Sequence, residues 1–337
     1  MIAEEQPSNA FLSAVPAPPA SLPDGWVRAE IAALSACGPV RELNEDRVGW
    51  AVIGSPTSAR SPVGNGQLVR EELTGPGAAV LIADGLGGHA HGELASRTAI
   101  GMMLRRLSRP VPPGQLAGTL REGFDAANEA ILLGRLDEAT GDVVLVDPGG
   151  APGPDAADPQ SIGRPMGSRG AQTTLTALAV TASGSQLAHV GDCRLFRLRD
   201  GVLELFTSDH TQASELLRMR LIKPEQLARH PGRHLLTRSV GGDIAVRIET
   251  RPGVPEVGDT YLLCTDGAWG SADSMEIRSA MEGDLGDGLG ALIVRSAERG
   301  GDDNASVIAL RILDLARSTA APGLSAWRLP WRRGGTT

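Results

Sequence analysis

Five aspartates stand at the borders of apolar segments far apart in the chain. Asp84 ends the run Ala78-Ala79-Val80-Leu81-Ile82-Ala83 and is followed at once by Gly85-Leu86-Gly87-Gly88-His89. Asp266 ends Leu262-Leu263-Cys264-Thr265 and is followed by Gly267. Asp192 closes Ala188-His189-Val190-Gly191. Asp303 and Asn304 precede Ala305 to Ile312, and Asp46, in Asn44-Glu45-Asp46-Arg47, precedes Val48 to Ile53. A carboxylate at a strand end, beside backbone that only glycine folds so tightly, suits a hard cation. At Gly85 no Cβ intervenes, so the Asp84 side chain and the Gly85 carbonyl can face one ion. A single Asp-Gly pair is more often a plain turn. Recurrence changes that reading: if these strands share one end of a core, the five acids converge.

The elements that must position them follow from periodicity. Strands are predicted over Val27–Ala36, Val48–Ile53, Ala78–Ala83, Thr173–Ala182, Gln186–Val190, Ala245–Thr250, Thr260–Cys264 and Ala305–Ile312. Phe196–Leu198 and Leu203–Phe206 flank Arg199-Asp200-Gly201 as a hairpin. Helical spacing runs from Gly92 to about Leu107 and from Leu116 to Leu136, with shorter helices over Ser214–Met219, Pro224–Arg229, Met275–Met281 and Leu289–Arg299. Residues 54–77 and 139–170 are dense in Gly and Pro and read as loop insertions. Residues 1–24 and 316–337 read as flexible tails, and Trp327, Arg328, Trp331, Arg332 and Arg333 are assigned to a disordered end. The order of elements is α+β, with helices covering packed sheets.

Composition narrows the function. Hydrophobic residues make up 41% of the 337, enough for a large core, and aromatics only 3%, so that core is aliphatic. A net charge of −8 argues against a nucleic-acid binder, because a phosphate backbone needs a basic face. Cys37, Cys193 and Cys264 are odd in number and scattered, which supports neither a disulfide framework nor a thiolate zinc site. Each reads as a small buried residue. No apolar run approaches the ~20 residues that span a bilayer. No signal peptide is evident, and a cytoplasmic protein is expected.

Taken in order, the motifs are Arg41-x-x-Asn44-Glu45-Asp46, Ala83-Asp84-Gly85-Leu86-Gly87-Gly88-His89, Thr173-Thr174, Val190-Gly191-Asp192-Cys193-Arg194, Asp209-His210-Thr211, Leu236 to Gly241, Cys264-Thr265-Asp266-Gly267 and Asp303-Asn304. This series resembles the metal-dependent protein phosphatase family (the type 2C Ser/Thr phosphatases) in its bacterial form, over roughly residues 27–313. The resemblance implies two antiparallel sheets packed face to face and flanked by helices, an αββα sandwich occupying 25–315. It implies a binuclear Mn2+ or Mg2+ centre. By motif position Asp84 bridges both ions, the Gly85 carbonyl binds one, Asp266 and Asp303 complete one ion, and Asp46 serves the other. Asp192 matches the acid that holds a third, weaker ion, and Arg41 the arginine that binds substrate phosphate. Oxygen-only ligation suits such hard cations, and two of them can generate hydroxide from a bridging water near neutral pH. The implied activity is hydrolysis of phosphoserine and phosphothreonine in proteins, opposing a cognate Ser/Thr kinase, by a monomer.

Residues 211–235 match the family's flap beside the active site. Departures are Leu86, where some members carry a histidine, Cys193 for the usual Ser, Ala171-Gln172 before Thr173, and Ser239-Val240-Gly241. They motivate an alternative, a catalytically silent module that binds phosphoproteins; a phosphatase of small phosphomonoesters is a third reading. Plainer roles stay open for single residues. Asp192 and Asp209 suit turn caps, and Asp209 is read as one. Glu45 suits a solvated loop or a water-mediated contact behind the ligands. Arg41 suits an ion pair with Asp46. Arg194 and Arg238 are read as loop anchors, His210 and His234 as ordinary polar residues, and His89 as a partner of its own turn.

Overall fold

The computed structural model of the chain describes residues 21–62, 64–86, 90–137, 143–144, 162–165 and 170–317. In chain order the first strands are Val27–Ala36 (β1), Arg47–Val52 (β2), Val69–Gly75 (β3), Gly77–Ala83 (β4) and Gly85–Leu86 (β5), followed by helices Ala90–Leu107 (α1) and Leu116–Leu133 (α2). Arg135–Asp137 (β6), Val143–Val144 (β7) and Ile162–Pro165 (β8) form a small sheet, and Gln172–Thr173 (β9) pairs with β5. Then come Leu175–Thr181 (β10), Gly184–Val190 (β11), Arg194–Arg199 (β12), Val202–Leu205 (β13), Gln212–Arg218 (α3) and Pro224–Leu227 (α4). The chain continues through Glu249–Gly253 (β14), Thr260–Cys264 (β15), Asp266–Trp269 (α5), Ser274–Glu282 (α6), Leu285–Glu298 (α7) and Ala305–Leu315 (β16).

Two antiparallel sheets carry the fold, with strand orders β13-β12-β15-β16-β1-β3 and β14-β11-β10-β4-β2. The central strand β4 is apolar without interruption because both its faces are covered. Along β4, Ala78, Val80 and Ile82 point into the seam between the sheets, where they join Ile31, Trp50, Tyr261, Leu263, Ile308 and Leu310. The alternate residues Ala79, Leu81 and Ala83 face α1 and α2, packing with Ile100, Met103, Leu107, Leu120 and Phe124. On the other sheet Leu262, Val307 and Ala309 face α6 and α7 through Ile277, Met281, Leu289 and Leu292. The period-2 alternation of side chains thus builds four layers, helices–sheet–sheet–helices. The expected α+β sandwich is the observed one.

Several expectations are corrected. Residues 54–77 are not all loop: Val69–Gly75 is an edge strand pairing with β1. Its charged residues Arg70, Glu71 and Glu72 mask the pattern, as edge strands often do. The strand placed at Ala245–Thr250 lies at Glu249–Gly253, where it pairs with β11. The second helix stops at Leu133, and Gly134 breaks it ahead of β6. Asp266–Trp269 is a short helix in a stretch to which the sequence assigned no element. Of the 139–170 insertion only short pieces fall within the described residues, two of them strands. Residues 1–20, 318–337 and His89 lie outside the described residues.

Candidate active site

Antiparallel pairing brings all five aspartates to one end of the sandwich. Arg47 pairs with Ala83, which sets Asp46 beside Asp84. Leu175 pairs with Val190, Ala36 with Ala305, and Arg194 with Cys264. These registers gather the loops bearing Arg41, Asp192, Asp266 and Asp303 at the same end. A cavity of about 780 Å³ opens there, and Arg41, Glu45, Asp84, Gly85, Asp192 and Asp266 line it together with Asp303. Asp46 sits behind it, only 1% exposed, in the seam between the sheets.

Each acid is held by its neighbours. Asp84 N–H donates to Thr174 Oγ1 at 2.8 Å, and Thr173 Oγ1 donates to the Asp84 carbonyl at 2.8 Å. The paired threonines of the sequence are therefore the clamp on Asp84. Asp46 Oδ2 accepts from Thr265 Oγ1 at 2.9 Å, one sheet bonding to the other. Asn304 Oδ1 accepts from Glu45 N–H at 2.9 Å, and its Nδ2 donates to the Leu43 carbonyl at 3.1 Å. The Arg41–Asp46 loop is thereby tied to the start of β16. Trp269 Nε1 donates to the Asp192 carbonyl at 3.1 Å. Two glycines are required by close approach: a Cβ on Gly85 would lie 2.2 Å from the Gly92 carbonyl oxygen, and one on Gly267 would lie 2.1 Å from that of Asn304.

The electrostatics are those of a site built for positive charge. Asp46 is pushed up to about 7 by burial, against the bonds from Ser306 and Thr265, with Asp266 and Asp303 adding repulsion. Burial, then Asp46 and Asp266, raises Asp84 well above the carboxylate range. Asp192 reaches about 8, through burial and then Asp266. Asp266 is raised by burial and then by Asp303, and its Oδ1 is buried with no hydrogen-bond partner among the described residues. Among those residues no three His, Cys, Asp or Glu side chains close into a metal cage, yet these acids stand near enough to raise one another. An oxygen-only donor set, an orphaned carboxylate oxygen and a carbonyl at a Cβ-free position fit a hard divalent cation.

Arg41 does not pair with Asp46. Its Nη2 donates to Asp303 Oδ2 at 2.9 Å, because Asp46 is sealed in the seam while Asp303 shares the open rim. Glu45 is buried, not a solvated loop acid. Asp209 is an ion-pair partner and not a bare turn cap: Arg194 grips it through Nε at 3.0 Å and Nη2 at 2.8 Å. Arg194 itself lies over the Trp269 ring, so it anchors loops as expected. Of the cysteines Cys193 and Cys264 are buried, but Cys37 is exposed and donates to the Arg41 carbonyl. The departures at Gln172 and Ser239 meet each other, Ser239 Oγ donating to Gln172 Oε1 at 2.7 Å. Cys193 Sγ sits 3.1 Å from Thr174 Oγ1, inside the clamp on Asp84.

Sequence reasoning missed some of the wall. His234, Leu236, Ser271, Arg299 and Asp302 also line the cavity. His234 Nδ1 stands 3.8 Å from Asp266 Oδ2, although it was read as an ordinary polar residue. No local motif marks it; the Thr211–Leu236 bridge alone folds it back over the site. His210 is not at the cavity, but its Nδ1 accepts from Gly191 N–H at 3.1 Å and so pins the turn before Asp192.

A family model described as protein phosphatase 2C matches residues 70–289. The chain is 31% identical over 271 residues to the serine/threonine protein phosphatase PstP of Mycobacterium tuberculosis, a match covering 80% of this chain and 47% of that protein. It thus spans about half the length of that relative. It is 27% identical to the serine/threonine phosphatase stp of Listeria monocytogenes over 68% of this chain and 82% of that protein. Among solved structures, the catalytic domain of PstP in complex with two manganese ions superposes with a TM-score of 0.59 at 28% identity, over 85% of this chain and all of that one. Motif order, strand-end geometry and these matches agree, and the chain belongs to the protein phosphatase 2C family.

Proposed function

We propose that the protein is a metal-dependent protein serine/threonine phosphatase that hydrolyses phosphoserine and phosphothreonine, acting at the cavity between the ends of the two sheets. The observation that carries this is the gathering of four strand-end aspartates, Gly85 and Arg41 at one cavity, with Asp46 beside Asp84 behind it, in a chain of this family. Asp84, Asp266, Asp303 and the Gly85 carbonyl would hold two Mn2+ or Mg2+ ions with Asp46, and Asp192 would hold a third. The PstP structure with two manganese ions supports the metal and the count. Bound there, such ions supply a nucleophilic hydroxide from water and neutralise the phosphoryl oxygens.

The chain's own residues do the rest. Arg41 offers a planar fork to two phosphate oxygens, which lysine cannot match. Its pairing with Asp303 places that fork in advance, so little side-chain freedom is lost when phosphate arrives. Thr173 and Thr174 hold Asp84 in place from two sides. Thr265 keeps Asp46 oriented across the seam. The silent-module alternative loses its motive, since the departures at Gln172 and Cys193 are absorbed by local contacts.

We take residues 25–315 as the catalytic unit, which the pairing of Val27 with Leu315 supports. Among the described residues no helix is long and apolar enough to cross a membrane. A cytoplasmic monomer acting on phosphoproteins, against a Ser/Thr kinase, completes the reading. The test is phosphate release from a phosphothreonine peptide with Mn2+, with Mg2+ and with EDTA. Release that depends on metal and vanishes in EDTA is the expected result. No release with any metal, from protein shown to be folded, would overturn the reading.

A further inference from the structure

Leu285, Leu289, Leu292 and Ser296 recur every three or four residues along α7 and form its buried stripe. The three leucines pack into the core beneath the first sheet. Ser296 is the polar exception, and it is only 2% exposed. A hydroxyl at such a place costs free energy unless it is bonded. Its Oγ donates to the Gly267 carbonyl at 2.6 Å, and Gly267 directly follows Asp266. Its own carbonyl accepts from Gly301 N–H at 2.8 Å, and Gly301 lies two residues before Asp303. One residue of α7 therefore touches both the turn after Asp266 and the turn before Asp303.

The packing around it leaves little slack. A Cβ on Gly301 would lie 2.6 Å from both the carbonyl and the hydroxyl oxygen of Ser296. The Gly267 backbone in turn presses on the Asn304 carbonyl. Arg299, at the end of the same helix, donates to the Ser271 carbonyl just beyond α5, and its two terminal nitrogens grip Glu276 of α6 at 2.9 and 2.8 Å. The last turn of α7 is thus fixed to α6 and offers Ser296 as a rigid spacer between the two acids. Asp84 has a different support, since Thr173 and Thr174 clamp it from the side of the other sheet. Asp266 and Asp303 carry like charge at the rim of one cavity, so a loosened turn lets them move apart.

We infer that Ser296 is a positioning residue of the metal centre: its hydroxyl and carbonyl set the spacing of Asp266 and Asp303, and so the affinity of the one ion that these two acids complete. The inference rests on the phosphatase reading above and deepens it. Ser296 touches neither substrate nor ion, and its effect passes through backbone.

The test is Mn2+ binding to the full chain, stripped with EDTA and freed of chelator, followed by calorimetry without substrate. Ser296→Ala is expected to weaken one tight binding step by about tenfold and to leave the other within about twofold, in the range of contacts that orient metal ligands from behind. Ser296→Cys keeps a side chain of similar shape but offers only a weak S–H donor, so it should fall between parent and alanine. Ser108→Ala removes a bond of the same kind, from Oγ to the Leu104 carbonyl at 2.8 Å, past the end of α1, and should move neither step. With saturating Mn2+, Ser296→Ala should recover most of the parent kcat on a phosphothreonine peptide, because affinity is lost and not chemistry. Urea unfolding of each variant separates these effects from stability, since a merely structural serine shifts the unfolding midpoint and leaves the binding steps alone.

Binding steps unchanged in Ser296→Ala, or weakened alike, would overturn the inference while the phosphatase reading stands. A parent protein that binds no Mn2+ would overturn both. Should Ser296→Ala fail to fold, Ser296→Cys decides by the same criterion.

Discussion

Asn304 is the residue whose loss best tests how the site is held. It is 4% exposed at the start of β16 and makes two bonds to the Arg41–Asp46 loop. Its Oδ1 accepts from Glu45 N–H at 2.9 Å, and its Nδ2 donates to the Leu43 carbonyl at 3.1 Å. Asn304→Ala orphans both. The Glu45 N–H is buried, so it bears the full desolvation penalty of about 1–3 kcal/mol, while the Leu43 carbonyl adds about 0.5–1.5 kcal/mol for a lost ordinary bond. The sum is a destabilisation of about 2–4 kcal/mol, which lowers the melting temperature by roughly 5–12 °C in a domain of this size. Catalysis suffers separately. Asn304 fixes the backbone next to Asp46 and adjoins Asp303, and outer contacts of this kind are worth about 10–100-fold in metal affinity or activity. The assays are urea unfolding and phosphate release titrated with Mn2+. Asn304→Asp keeps the Oδ1 acceptor but loses the Nδ2 donor and buries a carboxylate beside Asp303, so it should destabilise at least as much as alanine at neutral pH. Unfolding within about 0.5 kcal/mol of the parent, the usual span of a neutral surface change, together with an unshifted Mn2+ titration, would refute the clamp.

Three further outcomes follow from the same geometry. Gly85→Ala places a Cβ 2.2 Å from the Gly92 oxygen and 2.8 Å from that of Glu45. Neither backbone atom can swing away, so a stability loss of about 1–3 kcal/mol, read by urea unfolding, and near-complete loss of metal-dependent turnover are expected. Arg41→Lys keeps a charge for Asp303 but loses the fork, so KM should rise by about tenfold with less change in kcat, measured on a phosphothreonine peptide. His189 is buried, its Nδ1 2.8 Å from Thr176 Oγ1, and burial, then the neighbouring His210, lowers it to about 3. The unfolded chain therefore holds a proton between about pH 3 and 6.5 that the native chain lacks, and stability is lost as pH falls through that window, at ~1.4 kcal/mol per pH unit. His189→Leu should flatten that part of the urea-midpoint profile; an unchanged slope would count against it.

Much of the site was legible because its chemistry sits at the ends of apolar runs. Asp84, Asp192 and Asp266 each follow a strand that alternation or hydrophobicity marks, and Asp46 and Asp303 precede one. Legibility failed where tertiary contacts decide. Val69–Gly75 is polar enough to pass for loop because it is an edge, needing only Leu73 and its small neighbours inside. Glu249–Gly253 has exposed alternate residues and a proline, so nothing local distinguishes it from the segment before. Arg41's partner could not be read from spacing, since Asp303 is nearer in space and Asp46 nearer in sequence. His234 carries no motif, and only the fold-back of 211–236 brings it to the cavity.

The acids lie both before and after strands, and the pairing explains why. In an antiparallel sheet one end of the sandwich collects the finish of one strand and the start of its neighbour. Following the chain, that end receives the finish of β1, the start of β2, the finish of β4, the start of β10, the finish of β11, the start of β12, the finish of β15 and the start of β16. Asp46 and Asp303 belong to starts, and Asp84, Asp192 and Asp266 to finishes. Each acid can therefore be supplied by a separate strand whose body is fixed by a two-sided core, and none depends on a long loop for its position. The cost is electrostatic, since burial and mutual repulsion raise four of these groups. A rigid scaffold tolerates that repulsion where a flexible loop would relax it by moving apart. The unrelieved repulsion is what a divalent cation would remove on binding.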